Sequence, residues 1–167
     1  MPVISNTSPL LNLAIVNQLS IIRKQFKEII IPNAVLRELR INEDRPGSQQ
    51  LREAFEASWI RVKQVENETF VQLLRRELDQ GEAEAIALAI ELKADLVLLD
   101  ERDGRKIARS LGLNITGVLG IILRGWQQGN LSSVKAILNQ LRTLAHFHIA
   151  PHLEEQILKE TGEFKQP

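Results

Sequence analysis

Short apolar runs alternate with amphipathic stretches from one end of the chain to the other. Four runs, PVIS, EIIIP, ADLVLL and NITG, have the length and continuity of short buried strands. An exposed strand is expected at Trp59–Val65 and an edge strand at Phe147–Ile149. Because helical patterns separate the strands, crossover connections and hence parallel pairing are expected. The pattern therefore predicts an α/β fold in which a mostly parallel sheet lies between layers of helices.

The amphipathic stretches predict the helices of this fold. In SPLLNLAIVNQL, Ser8 is a typical N-cap and Pro9 suits the first helical position. A short helix is expected in NAVLRELR, residues 42–50 form the clearest loop, and REAFEASWIRVKQV is expected to pass from helix into the exposed strand. Further helices are expected in TFVQLLRREL, GEAEAIALAIELK, DERDGRKIARSLG, VLGIILRGWQQG, SSVKAILNQLRTL and APHLEEQILKETG.

Length and composition narrow the class of protein. With 167 residues, one domain spanning 1–167 is the natural interpretation. The absence of cysteine excludes disulfides, thiolate metal sites and cysteine nucleophiles. Neither a signal peptide nor a run of roughly 20 apolar residues is recognisable, so a cytoplasmic protein without membrane segments is expected. Lys+Arg and Asp+Glu each number 21, so nucleic-acid binding would have to rest on local basic clusters.

Polar residues follow two of the predicted buried strands. Asn6 comes directly after the first strand, and Asp100 follows the run DLVLL. Ligands of parallel α/β sheets bind outside the carboxyl ends of the strands, so both side chains are expected at one edge of the sheet. Asp103 lies one helical turn beyond Asp100, close enough to share a cation or a proton. As an alternative, both aspartates are simply helix-start carboxylates that the helix dipole favours.

Three glutamates are candidates to join this edge. Glu82 and Glu84 lie in the first turn of the alanine-rich helix GEAEAIALAIELK, and Glu38 lies in AVLRELR. Each alone is typical of a dipole partner or a solvated acid. Together with Asp100, however, they come from segments that a parallel topology brings to one edge. Such carboxylate clusters bind hard cations, Mg²⁺ or Mn²⁺, and leave room for water and phosphate oxygens.

The helix that follows Asp100 carries basic residues at helical spacing. They recur at i, i+3, i+4 and i+7 and are Arg102, Arg105, Lys106 and Arg109. A cationic stripe beside an acidic site suits the backbone of a polyanion such as RNA. A solvated face, partly neutralised by Glu101 and Asp103, is an equally good interpretation.

Other familiar sites are absent from the sequence. There is neither a GxxxxGK[ST] phosphate loop nor a GxGxxG fingerprint. His146, His148 and His152 cluster near the C-terminus, but Pro151 argues against a shared helical face, so surface or structural roles are expected. Aromatic residues are 4% of the chain and tyrosine is lacking, so stacking platforms for single-stranded bases are scarce.

Four segments of the chain resemble the PIN-domain nucleases, and in particular a branch close to VapC-type toxins. They span most of residues 3–123 and are VISNTSPLLNLA, IPNAVLREL, LDQGEAEAIALAIELKADLVLLDERDGRKIA and GLNITGVLGIIL. The resemblance implies a parallel sheet between helices and three or four acids that hold Mg²⁺ or Mn²⁺ for RNA hydrolysis. It also implies which residues do so: Glu38, Glu82 and Asp100 correspond to the metal-binding acids, with Glu84 as an alternative register to Glu82 and Asp103 as an auxiliary acid.

Asn6 departs from this pattern, because the family normally has aspartate after the first strand. An amide still offers an oxygen to a cation but removes one negative charge, so weaker metal binding is expected. The neighbouring Thr7 is a candidate to hold a water or a phosphate. Two hypotheses follow: a metal-dependent endoribonuclease of the PIN type that Asn6 weakens, or a catalytically weak or inactive PIN-like domain that binds RNA or a protein partner.

The resemblance to VapC-type toxins also implies partners. Such toxins pair with a small antitoxin that blocks the acidic cleft, and they commonly form homodimers. The C-terminal helical extension from about Ser132 is longer than the toxin core requires. It is expected to cover a dimer surface or to cap the sheet.

Overall fold

The computed structural model describes residues 2–165 and contains one parallel sheet of five strands in the order β3-β2-β1-β4-β5. The strands are β1 (Val3–Ser5), β2 (Ile29–Ile31), β3 (Ile60–Val62), β4 (Leu96–Leu98) and β5 (Ile115–Thr116). Every neighbouring pair is parallel, and Ile4 of the central strand lies opposite Ile30 on one side and Val97 on the other. The predicted α/β fold with a parallel sheet between helices is confirmed.

Ten helices lie in the described part of the chain. The first five are α1 (Thr7–Ile15), α2 (Ser20–Phe26), α3 (Asn33–Leu39), α4 (Ser48–Glu56) and α5 (Glu68–Leu74). The other five are α6 (Gln80–Leu92), α7 (Arg102–Ser110), α8 (Val118–Gln127), α9 (Val134–Leu144) and α10 (Pro151–Thr161). Among the residues described, no helix is long and apolar enough to span a bilayer.

The central strands β1, β2 and β4 are apolar apart from Ser5, because both faces of the sheet are covered there. Val3 and Leu98 pack into a core shared with α1 to α4 and α8 to α10. Ile4 and Val97, which alternate with them along the strands, belong to a second core shared with α5 to α7. The sheet is therefore the middle of three layers.

The alanine-rich helix α6 lies deep in one of these layers. Ala83, Ala85, Ala87 and Ala89 are completely buried, and the helix contacts α3, α5, β1 and β4. Small side chains allow helix and sheet to approach closely, which fixes the start of α6 relative to the ends of β1 and β4. The helix thereby becomes a rigid mount for its first-turn residues.

Three expectations from the sequence are corrected. The helix expected from Ser8 onward begins at Thr7, with Asn6 at its N-cap position, and ends at Ile15; after a turn, a separate and unpredicted helix, α2, follows. The exposed strand is confined to Ile60–Val62, where pairing with β2 ends. Phe147–Ile149 is irregular rather than a strand, because the sheet ends at β5 and this segment crosses beside it towards α10.

Candidate active site at the carboxyl edge of the sheet

The order in which the chain adds strands to the sheet reverses between β1 and β4. From β1 the chain builds outward to β2 and β3, whereas β4 and β5 lie on the other side of β1. In parallel sheets the crevice at such a switch point is where ligands bind. Asn6 and Asp100 leave these two strands at the same edge, and the Asn6 N–H donates to the Leu98 carbonyl at 2.9 Å. Their expected common edge is thus present.

Asn6 has an unusual environment for a turn residue. It is 4% exposed and occupies the N-cap position of α1, yet its side chain makes no capping hydrogen bond. Its Oδ1 is buried and has no hydrogen-bond partner among residues 2–165. A buried acceptor without a partner costs about 1–3 kcal/mol, so such atoms typically serve an ion, a water or a reaction. The amide oxygen is therefore a candidate ligand atom.

The Asp100 carboxylate is fixed by hydrogen bonds from two helices. Its Oδ1 accepts from the Val118 N–H at the start of α8, at 2.9 Å, and Oδ2 lies 3.4 Å from the donating Ser8 hydroxyl. Burial raises the pKa of Asp100, although the Val118 hydrogen bond and the Arg105 charge oppose the rise. The Asp100 carboxylate therefore caps α8, which begins 18 residues later in the sequence, and it is also held at the sheet edge beside Asn6.

The Glu38 carboxylate lies at the junction of three helices. Although Glu38 is an exposed residue of α3, its carboxylate accepts a hydrogen bond from the Thr7 hydroxyl in the first turn of α1. It also lies against Gly81 in α6, where an added Cβ atom would come within 2.5 Å of Oε2. Glu38 is thus tied to the segment after Asn6 and to the residue that precedes Glu82.

Glu82 is buried at the start of α6, with 7% of its surface exposed. Its N–H donates to the Asp79 carboxylate at 2.8 Å, which caps the helix. Its own carboxylate faces α7, where a Cβ atom on Gly104 would lie 2.9 Å from Oε2. Burial raises the pKa of Glu82 to about 8, and the hydrogen bond and charge of Asp79 and the charges of Glu101 and Asp103 add to the rise.

The four predicted site residues are linked in two groups. Thr7 and Ser8 connect Glu38 and Asp100 to the segment after Asn6, whereas Glu82 interacts electrostatically with acids at the start of α7. Within residues 2–165, no three His, Cys, Asp or Glu side chains lie close enough together to hold a metal ion by themselves. A cation at this edge would need the Asn6 amide or some movement of the acids.

Glu84 has a structural role in the neighbouring layer. Its carboxylate accepts from the Ala34 N–H at 3.2 Å and from the Gln80 side chain, and Arg37 lies 3.9 Å away. It therefore caps α3, the helix that carries Glu38. Because Glu84 is engaged in this way, Glu82 is the better candidate of the two for the acid of the proposed active site.

Two of the four basic residues of α7 line surface hollows, one in each of two separate hollows. Arg105 is half-buried, donates to the Leu99 carbonyl at 3.1 Å and lines a cavity together with Asp100. Lys106 and Asp103 line a separate hollow. Arg102 and Arg109 are exposed. Of the predicted stripe, Arg105 is the member that lies beside Asp100.

Three glycines that sequence reasoning missed each make room for one of the acids. Gly81 lies against Glu38, Gly104 against Glu82 and Gly117 against Asp100. Gly81 and Gly104 lie inside helices, where glycine costs about 1 kcal/mol relative to alanine and so calls for a local reason. The signal was present in the sequence, since these glycines stand in the segments DQGE, RDGR and ITGV.

Comparisons with known proteins agree with the fold. A family model for PIN domains, DUF3368, matches residues 2–163. One similar solved structure is a PilT N-terminus domain protein from the hyperthermophilic archaeon Sulfolobus solfataricus, with a TM-score of 0.50 and 20% sequence identity. The match covers 80% of this chain and 96% of that chain, and at this identity it shows the fold alone. No curated protein has significant sequence similarity to the chain.

Proposed function

Because the chain belongs to the PIN-domain family, in which nucleases are common, we propose that it is a metal-dependent endoribonuclease with a weakened site. The observation that carries the proposal is the buried Asn6 Oδ1, an acceptor atom that has no hydrogen-bond partner among residues 2–165 and lies at the switch point of the sheet. Asp100 is held beside it by hydrogen bonds from α8 and α1. An oriented carboxylate and a free amide oxygen at one edge suit a hard cation.

The residue types at this edge suit Mg²⁺ or Mn²⁺, and a cation would have to draw the acids together, since no three of them lie within reach of one ion among residues 2–165. Glu38, Glu82 and Asp100 would hold the ion, and the Asn6 amide would contribute a neutral oxygen. The raised pKa of Glu82 supports this assignment, because a carboxyl that keeps its proton without a cation releases it when one binds. Bound there, the ion would acidify a water molecule and so supply the nucleophile for phosphodiester hydrolysis.

The chain itself would orient these ligands and the substrate. Thr7 holds the Glu38 carboxylate, and Asp103 adds negative charge near Glu82. Arg105 lies beside Asp100, where it would neutralise a phosphate of the RNA backbone. Further along the RNA strand, its phosphates would contact the exposed cations Arg102, Lys106 and Arg109.

A second candidate function is binding of RNA or of a protein without catalysis. Two observations favour it: an amide stands where the family normally has aspartate, and no three acids are preassembled among residues 2–165. In this case Asp100 would act mainly as the cap of α8. The same surface would then bind its partner without hydrolysis.

The resemblance to VapC-type toxins is the basis for proposing partner proteins. On this basis the chain would be a cytoplasmic toxin that a small antitoxin blocks, and it would form a homodimer. The C-terminal helices α9 and α10 are available for such contacts, since Leu144 at the end of α9 is 57% exposed. Light scattering would test whether the chain forms a dimer. Co-expression with a small protein that is encoded next to it would test whether an antitoxin blocks it.

The test of the proposed activity is cleavage of a mixed RNA pool with Mn²⁺ or with a chelator. We expect slow cleavage that requires the metal and that Asp100→Asn abolishes. Glu155→Gln on α10, where Glu155 pairs with Lys159, serves as a control for the loss of one acid. Cleavage that survives chelation or Asp100→Asn would contradict the proposal, whereas RNA binding without any cleavage would favour the second candidate.

A further inference from the structure

A cavity of about 680 Å³ opens directly beside Asp100. One wall comes from the sheet edge and includes Arg105, Thr116 and Gly117. The opposite wall is the irregular segment 145–150, which joins α9 to α10. The C-terminal extension thus contributes to a site that adjoins the proposed catalytic edge.

The segment 145–150 is held in place at both ends. At the end of α9, His146 adopts the left-handed conformation (φ 53°), and the Phe147 N–H bonds back to the Leu141 carbonyl at 2.9 Å. Ile149 is buried in the core. Between these anchors the imidazoles of His146 and His148 are exposed, and both line the cavity. The third histidine, His152, lies on α10 outside the cavity lining.

The two ends of the cavity differ in chemistry. Asp100, Glu101 and Arg105 place acidic groups and a guanidinium side by side at one end, whereas His146 and His148 bring imidazole hydrogen-bond donors from segment 145–150. Apolar side chains, among them Phe147, Ile115 and Leu119, complete the walls. Donors for a phosphate next to an aromatic and aliphatic surface are what an unpaired nucleotide requires.

We propose that this cavity receives one unpaired nucleotide of the RNA, next to the phosphate that lies at Asp100. The proposal rests on the proposed ribonuclease function and adds a substrate subsite, which segment 145–150 of the C-terminal extension supplies. The base packs against Phe147 and the apolar wall, and His146, His148 and Arg105 contact its phosphate. The volume lies within the roughly 300–1,000 Å³ of typical small-ligand sites, which admits one nucleotide whose base has left its pairing partner.

Binding of a fluorescein-labelled hexanucleotide RNA of mixed sequence, measured by anisotropy in the presence of a chelator, tests this inference without catalysis. The variant His146→Gly/His148→Ala removes both imidazoles, and glycine suits the left-handed position of residue 146. His152→Ala is the matched control. We expect roughly tenfold weaker binding for the double variant, since charge-assisted hydrogen bonds are lost. We expect no change for the control, and the duplex should compete poorly.

Imidazole NMR signals give a second readout on the unmodified protein, because the chain has three histidines. Addition of the hexanucleotide should move the signals of His146 and His148 and leave His152 in place. Unchanged RNA binding by the double variant, equal competition by the duplex, or equal movement of all three signals would overturn the inference. If the wild type still cleaves RNA in that case, the proposed function stands; a wild type that neither binds nor cleaves RNA overturns both.

Discussion

Gly117 and the Asp100 carboxylate are in such close contact that a Cβ atom at position 117 would overlap Oδ1 of Asp100. The backbone of Gly117 is extended (φ −125°), so any residue could adopt it and only the lack of a side chain matters. The glycine lets Asp100 reach the Val118 N–H at the start of α8. One position therefore links the stability of α8 to the orientation of the proposed metal ligand.

Gly117→Ala is expected to displace the Asp100 carboxylate and to reduce RNA cleavage by roughly 10–100-fold, the usual effect of disturbing the support of a metal ligand. The measurement is the cleavage rate together with the melting temperature.

Gly129→Ala is the matched control for that variant. Gly129 has a left-handed backbone (φ +77°) and open space around its Cα, so alanine there costs about 1 kcal/mol of stability and touches nothing. We expect this control to lower the melting temperature and to leave cleavage unchanged. Equal loss of cleavage in both variants would mean that Gly117 acts through stability alone.

The fold was largely predictable because its strands are simple. β1, β2 and β4 are continuous apolar runs with both faces buried, and the start of α6 is marked by Asp79 as its cap. Helix α2 was missed because it begins after Leu19 without a side-chain cap, so the sequence carries no start signal there.

The details of the site depend on contacts that no local pattern shows. Glu82 and Glu84 are alike in sequence, yet one lies against Gly104 and the other caps α3. Likewise, His146 and His148 line the cavity beside Asp100 only because the segment after α9 lies there. Periodicity predicts which residues face a layer, but not which carboxylate meets which glycine.

The pH dependence of stability should report on Glu82. Its pKa is raised from 4.5 to about 8 by burial first and by neighbouring acids second. An acid with a raised pKa favours the folded state while it is protonated. Its contribution is fully present below its ordinary pKa and is lost as the pH rises through about 8. The metal-free protein should therefore become less stable over this range.

Glu82→Gln is expected to flatten this loss, because glutamine stays neutral at every pH. Melting temperatures from about pH 5 to about pH 9 provide the measurement, and Glu77→Gln, at an exposed position, is the control. A slope that is the same in wild type and Glu82→Gln would show that Glu82 is not protonated in the folded chain.

Glu163 holds the two C-terminal helices together. Its carboxylate accepts from the Ser133 hydroxyl at 2.7 Å and the Val134 N–H at 2.9 Å at the start of α9. Burial alone would raise the pKa of Glu163, but these and neighbouring hydrogen bonds hold it below its ordinary value. Its contribution to stability is present above the ordinary pKa of a glutamate and is lost as the pH falls through the lowered value.

Glu163→Gln is expected to cost about 1 kcal/mol, as the loss of a helix cap usually does. Because α9 and α10 also position segment 145–150, RNA binding should weaken together with stability. Glu160→Gln, one turn earlier and exposed, is the control. Chemical denaturation at neutral pH measures the effect, and equal stability of the two variants would contradict it.

Asn6→Asp separates the two candidate functions. Without a cation, a carboxylate at this buried position lacks a partner, as the Asn6 Oδ1 does now, and an unpaired buried charge is costly. The metal-free variant should therefore melt at a lower temperature than the wild type. If the site is a weakened nuclease, Mn²⁺ should restore the melting temperature and bind roughly 10–100-fold more tightly than to the wild type. Calorimetry and cleavage of a mixed RNA pool measure both effects.

Asp100→Ala in the Asn6→Asp background is the decisive control, because both side chains would hold the same ion. It should abolish the gain in metal affinity and in cleavage, while the cost of the buried Asp at position 6 remains. A variant Asn6→Asp that folds, but in which Mn²⁺ changes neither the melting temperature nor cleavage, would mean that the acids at this edge do not share a cation. Asp100 would then be a cap of α8, and binding without catalysis would be the better account of the chain.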